Sequence, residues 1–231
     1  MANHTLLRLS AALMFIGLVV FEVVSLFHPP GTNDHQAAFT AYANSSSWAA
    51  IHLGEFIGMA VLLSGLLVLF FALDVSEGIP RWLGFFGAVA TGVTLVLYGV
   101  RMAVDGVALK QAVDAWISAP AAEQGTRFAS AETIRWLEWG VASYQTYMLG
   151  LSLVLFAITI VWTARVPRPI GYLMGLSGLA WIVVGWVFGV GGFAPIGEVP
   201  SDVAQFFLLV PIIWLLIVAL HRKESVQAAP A

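Results

Sequence analysis

The stretch WAAIHLGEFIGMAVLLSGLLVLFFAL, residues 48–73, decides the fold. A helix needs roughly 20 apolar residues to cross ~30 Å of hydrocarbon at a rise of ~1.5 Å per residue, and this run exceeds that. No lysine or arginine interrupts it. Its two titratable side chains, His52 and Glu55, both stand near its start.

Working outward, five more runs of the same kind are found at about 6–28, 82–109, 133–163, 169–190 and 202–221. The chain has 231 residues, of which 60% are hydrophobic and 10% charged. Its mean hydropathy is +0.90, whereas soluble domains carry about 25% charged residues. We therefore expect an all-α polytopic membrane protein. Residues 1–223 form one bundle of six transmembrane helices, with short interfacial helices in the outer loops and a short cytoplasmic tail at 224–231.

Boundaries follow from turn-forming residues. Pro29-Pro30-Gly31 stops the first span, because proline disfavours helix at the residue before it. Ser45-Ser46-Ser47 offers caps for the second. Gly78-Ile79-Pro80 and Pro167-Arg168-Pro169 make short turns, and Gly191-Gly192 ends the fifth span. Pro211 lies inside the sixth, where a membrane helix tolerates a kink. Leu6 to Phe27 is longer than a signal-peptide core, contains Glu22 and lacks a small-residue cleavage pattern, so it reads as a retained span.

Several classes are excluded. There is no cysteine, which removes disulfides, thiolate metal sites, iron–sulfur clusters and covalent haem attachment. The net charge is −3 with no basic tract, which disfavours nucleic acid as a partner. The expected partner is the lipid bilayer. A second copy of the chain or a membrane partner subunit is compatible with the composition.

With the spans laid antiparallel, one side receives six basic residues (Arg8, Arg81, Arg165, Arg168, Arg222, Lys223) and three acids, a balance of +3. The other side receives four basic residues and ten acids, a balance of −6. The positive-inside rule makes the first side cytoplasmic, with both termini inside a plasma membrane of bacterial type. Trp48, Trp82, Trp116, Trp136, Trp139 and Trp162 fall near span ends, as an aromatic belt would place them. A faint repeat joins residues 65–73 to residues 150–158. Each is followed by Pro-Arg-x-x-Gly, at Pro80 and at Pro167, which suggests three tandem hairpins.

The outer loops carry pattern. Phe39 and Tyr42 share one face of residues 33–43, which fits a short amphipathic helix at the interface. Ala112, Val113, Trp116 and Ile117 form an apolar stripe beyond the third span. Pro120 breaks it, and Ser130 can cap the fourth span.

The functional expectation comes from charge at membrane depth, which is costly. Glu22, His52, Glu55, Arg101, Asp105, Glu132, Arg135 and Glu138 all fall in the outer half. Glu22 lies roughly 20 Å along the helix axis from Arg8 and is the deepest. His52 and Glu55 share a helical face, as do Arg101 and Asp105. The economical pairings join Arg101 to Glu22 or Glu55, and Arg135 to Glu132 or Glu138. Glu22, His52, Glu55, Arg101, Asp105 and Glu138 form the expected ligand-binding or ion-pair pocket. Spans five and six add apolar packing.

Three chemistries compete for that pocket. A divalent metal would use His28, His52, Glu55 and Glu22, all legal ligands for a borderline ion. Such an ion would make a membrane enzyme acting on a lipid or other apolar substrate at the outer leaflet. Haem is disfavoured, because it needs opposed axial histidines and only His28 and His52 qualify. A small-solute or proton-coupled transporter needs polar groups through the full thickness. Ser143, Tyr144, Gln145, Thr146, Tyr147, Tyr98 and Thr94 begin such a path, but the inner half is apolar. A one-sided pocket with a binding, sensing or accessory role fits best.

From Ser45 to Gly84, the Ser-rich approach and Gly-rich second span, preceded by an amphipathic outer loop, resemble a family of uncharacterised bacterial six-span integral membrane proteins. The resemblance implies the six-span layout and no site residue.

Overall fold

The computed structural model describes residues 2–29, 31–193 and 198–221. Among them run eight α-helices: α1 (His4–Ser25), α2 (His35–Asn44), α3 (Trp48–Leu73), α4 (Gly78–Ala103), α5 (Lys110–Ile117), α6 (Ala121–Thr163), α7 (Arg168–Gly191) and α8 (Glu198–His221). A π-helical turn at Val104–Leu109 joins α4 to α5, so Gly78–Ile117 is one continuous helix. Six helices are long and apolar enough to cross a bilayer. The chain is an integral, multi-pass membrane protein with an all-α bundle.

Several boundaries differ from expectation: Gly78-Ile79-Pro80 is the first turn of α4 rather than a connection, and Ser47 stands before α3 without a side-chain cap bond. α1 stops at Ser25, and the amide of His28 turns back onto the Ser25 carbonyl at 3.1 Å. α6 begins at Ala121, directly after Pro120, well before position 133. Ser130 is therefore no cap; inside the helix its hydroxyl donates to the Thr126 carbonyl at 3.0 Å. With 43 residues, α6 spans about 65 Å, twice the hydrocarbon thickness. Its first turns stand beyond the apolar layer. Pro30, Arg222, Lys223, Glu224 and the tail at 224–231 lie outside the described residues.

Spanning helices that follow one another along the chain pack as pairs: α1 on α3, α4 on α6 and α7 on α8. α6 also packs along α7, and α8 returns to α1. In lipid there is little hydrophobic drive between helices, so close van der Waals contact must hold them. Gly58 shows how close: a Cβ there would sit 2.6 Å from the Phe21 amide nitrogen. The end holding both helix termini, His4 and His221, is filled by Leu66, Leu69, Phe156, Ile160 and Leu215, all buried. Hydroxyls in this region are spent on backbone or on each other. Ser10 donates to the Gly65 carbonyl at 2.8 Å, and Thr91 lies 2.6 Å from Ser152 Oγ.

A second, smaller core covers the other end. Asp34 caps α2 by accepting from the Ala37 amide at 3.0 Å. The apolar face of α2, with Ala38, Phe39 and Tyr42 buried, turns onto Leu109, Val113 and Ala131 rather than into lipid. Phe39 meets Phe128 and Trp116 edge-on at 5.4 and 6.1 Å. Together α2, α5 and the start of α6 roof the bundle. Trp48 belongs to this core at 1% exposure, so it is no belt residue, whereas Trp82, Trp136 and Trp162 are exposed.

Candidate functional site

Under the roof lie two adjoining hollows, of about 310 and 440 Å³, sharing His28, Arg101, Asp105, Ser201 and Asp202. The first adds Tyr42, Arg135, Glu138, Phe188 and Phe193; the second adds Glu22, Ser25, Glu55 and Gln205. Every residue expected in the pocket lines one of them except His52, which stands behind His28 with ring centroids 5.2 Å apart. A larger groove of about 650 Å³ runs along the seam of α6 and α7. It is lined by exposed Trp162, Tyr172, Leu176 and Leu179 and faces lipid, away from all of these charges.

The charged groups differ in how fully they are partnered; even ion-paired Arg135 keeps its Nε and Nη2 buried without a hydrogen-bond partner. Arg135 pairs with Glu138, three residues on, and both side chains are about 1% exposed. The Arg135 guanidinium also lies over the Tyr42 and Phe193 rings, at 5.3 and 4.8 Å. Glu132 pairs instead with His35 of the roof at 2.9 Å, fastening α2 to α6. Glu55 accepts from Ser25 Oγ at 2.8 Å.

Arg101 departs from the expected pairings. Neither Glu22 nor Glu55 reaches it, and no carboxylate among the described residues lies within 4.0 Å of it. Its guanidinium stands 5.6 Å from the Phe193 ring, and its Nε is buried without a hydrogen-bond partner. Glu22 is half-buried, and its Oε1 likewise has no partner.

His28 and His52 are each oriented by the backbone. His52 Nδ1 lies 2.9 Å from the Trp48 carbonyl, and His28 Nδ1 lies 2.7 Å from the Pro29 carbonyl. A carbonyl only accepts, so both Nδ1 atoms carry the proton and both Nε2 atoms are left to act on something else. Asp105 comes from the π turn, where one added residue re-aims the side chains; such turns gather at functional sites. Its Oδ2 is 3.1 Å from His52 Nε2, and its backbone carbonyl accepts from Trp48 Nε1 at 3.2 Å. Burial in the roof pocket pushes the His28 imidazole below its ordinary range, against the pull of the Glu55 and Asp105 carboxylates. Burial likewise raises the Tyr42 phenol, so it stays protonated.

No protein-family profile, curated protein or solved structure matches the chain.

His28, His52 and Asp105 are the group of possible metal ligands found among the described residues, their donor atoms all within 4.8 Å of one another. Glu22 and Glu55, expected as metal ligands beside the two histidines, are not part of that group. Trp48, Tyr42 and Phe193 were not anticipated at the site. Nor were Ser201, Asp202 and Gln205 of α8, because the last two spans read as apolar packing. The only hint was polarity at the start of the sixth span.

Toward the far end the hollow narrows to about 160 Å³ between Tyr98, Gln145, Thr146 and a floor of Leu18, Leu62, Leu149 and Leu208. Tyr144, expected on a polar path, is 66% exposed and faces outward. Ser143 donates to the Gly185 carbonyl at 2.7 Å, which ties α6 to α7.

Proposed function

We infer that this membrane protein is a binding protein whose pocket takes a small polar solute bearing a carboxylate or phosphate group. The roofed end faces outside, with both termini in the cytoplasm of a bacterial-type cell, as the basic residues of the opposite end favour. The observation that carries the reading is Arg101. It is a guanidinium on a hollow at membrane depth, held by a ring and, among the described residues, by no carboxylate within 4.0 Å. A half-buried guanidinium on a hollow presents a fork of donors suited to a carboxylate or phosphate. Its acidic neighbours Glu22 and Asp202 would take a cationic or hydroxyl group on the same solute.

The leucine floor supports binding from one side rather than passage. Ligand in excess should raise the melting temperature of the purified protein by mass action. The test is a thermal-shift panel of carboxylate- and phosphate-bearing solutes on the full chain in detergent, with Arg101→Gln in parallel. At least one solute should stabilise the wild type and not the variant. A flat panel, or an equal response from Arg101→Gln, would overturn the reading.

A further inference from the structure

We propose that His28, His52 and Asp105 hold one divalent transition-metal ion, zinc by preference, in the wall of the hollow. Three separate segments converge to make the group: the turn after α1, the second turn of α3 and the π turn after α4. Two features distinguish it from a chance cluster.

The first is tautomer control. Each histidine donates through Nδ1 to a backbone carbonyl, at 2.7 and 2.9 Å, which leaves Nε2 with a lone pair. Metal-bound histidines are oriented in this way by their outer partners.

The second is what Nε2 of His52 finds. Asp105 Oδ2 is 3.1 Å away, yet no hydrogen bond is aligned between them, and Asp105 Oδ1 has no partner either. A lone pair facing a carboxylate in a buried site repels it unless a cation stands between. Buried polar atoms without partners are uncommon and call for such an explanation. A proton on Nε2 would answer the charge of this pair, but it gives no role to His28, the third donor that converges on the same space.

The distances suit a small ion. Zinc bonds of about 2.0–2.1 Å in a tetrahedron place ligand atoms about 3.4 Å apart. The three donor atoms here lie within 4.8 Å, so side-chain rotation on binding would close the set. Two imidazoles and one carboxylate select zinc or a neighbouring transition ion over calcium or magnesium, which prefer all-oxygen sites. With three protein ligands the fourth position is left to water or solute, the pattern of reactive rather than structural zinc sites. His28 and Asp105 line the hollow together with Arg101, so a fourth ligand would be drawn from it.

The test is metal analysis of the full chain purified in detergent, stripped with chelator, reloaded with zinc and washed. We expect one equivalent per chain in the wild type and in the roof variant Glu132→Gln. We expect loss of the equivalent in His52→Ala and in Asp105→Asn, with monodispersity checked for each. Should His52→Ala fail to fold, Asp105→Asn, which keeps the side-chain shape, carries the test. Cobalt loading should produce the strong visible absorption of a four-coordinate ion. Absence of stoichiometric metal in the wild type, retention by Asp105→Asn, or a weak six-coordinate cobalt spectrum would each overturn the proposal. The solute-binding reading stands or falls separately. Metal without solute binding sinks that reading alone, and solute without metal sinks this one.

Discussion

His52 and Asp105 bring a ring nitrogen and a carboxylate oxygen to 3.1 Å with both side chains about 4% exposed, without a hydrogen bond between them. Gly106 makes the approach possible, since a Cβ there would lie 2.8 Å from His52 Cβ. Gly106→Ala should push the imidazole aside and lower stability by about 1–3 kcal/mol, the usual cost of overpacking. Thermal unfolding in detergent measures it. An unchanged melting temperature would mean that the ring relocates freely.

The Arg135–Glu138 pair is a different case, fully buried and ion-paired. Arg135→Ala leaves a buried carboxylate alone and should cost about 3–5 kcal/mol. Adding Glu138→Ala to that variant removes the stranded charge and should recover part of the loss. A double variant as unstable as the sum of both single changes would show that the two residues act independently.

Arg101 should be tolerant by comparison. Its loss breaks no ion pair among the described residues, and its ring contact with Phe193 is worth about 1 kcal/mol. Arg101→Ala should therefore destabilise far less than Arg135→Ala under the same denaturant. Equal losses would contradict the assignment of Arg101 to a ligand rather than to the fold.

Phe39 is fully buried in the roof. Phe39→Ala should cost about 3 kcal/mol by cavity formation, and the damage should stay local. Amide exchange is expected to accelerate in α2 and to remain slow through the middle of α3. Uniform acceleration across both helices would show that the roof and the bundle unfold as one unit.

Much of this was legible in the sequence because it depends on counting. Apolar run length places the spans, and distance from Arg8, Arg81 and Arg165 sets the depth of Glu22, Arg101 and Glu138. Partners were less legible. Which residues meet depends on rotation about each helix axis, about 100° per residue, and the π turn after Ala103 adds a residue that periodicity does not reveal. Arg101 was thus matched to Glu22 or Glu55 but faces Phe193. Trp48 read as an interfacial anchor because hydropathy cannot show that α2 folds over it. Asp202 carries no distinctive signal, because one acid at the start of an apolar run looks like a solvated end.

The π turn also makes the chain sensitive to length at one place. Removing a single residue from Val104–Leu109 would restore ordinary helix and turn everything beyond it by about 100°. Asp105 and Val113 could not then both keep their present facings, one toward the histidines and the other beneath α2. A deletion scan along α4 and α5 would read this segment as a phase-setting insert: the spacing between membrane and roof would survive, while their angular register would not.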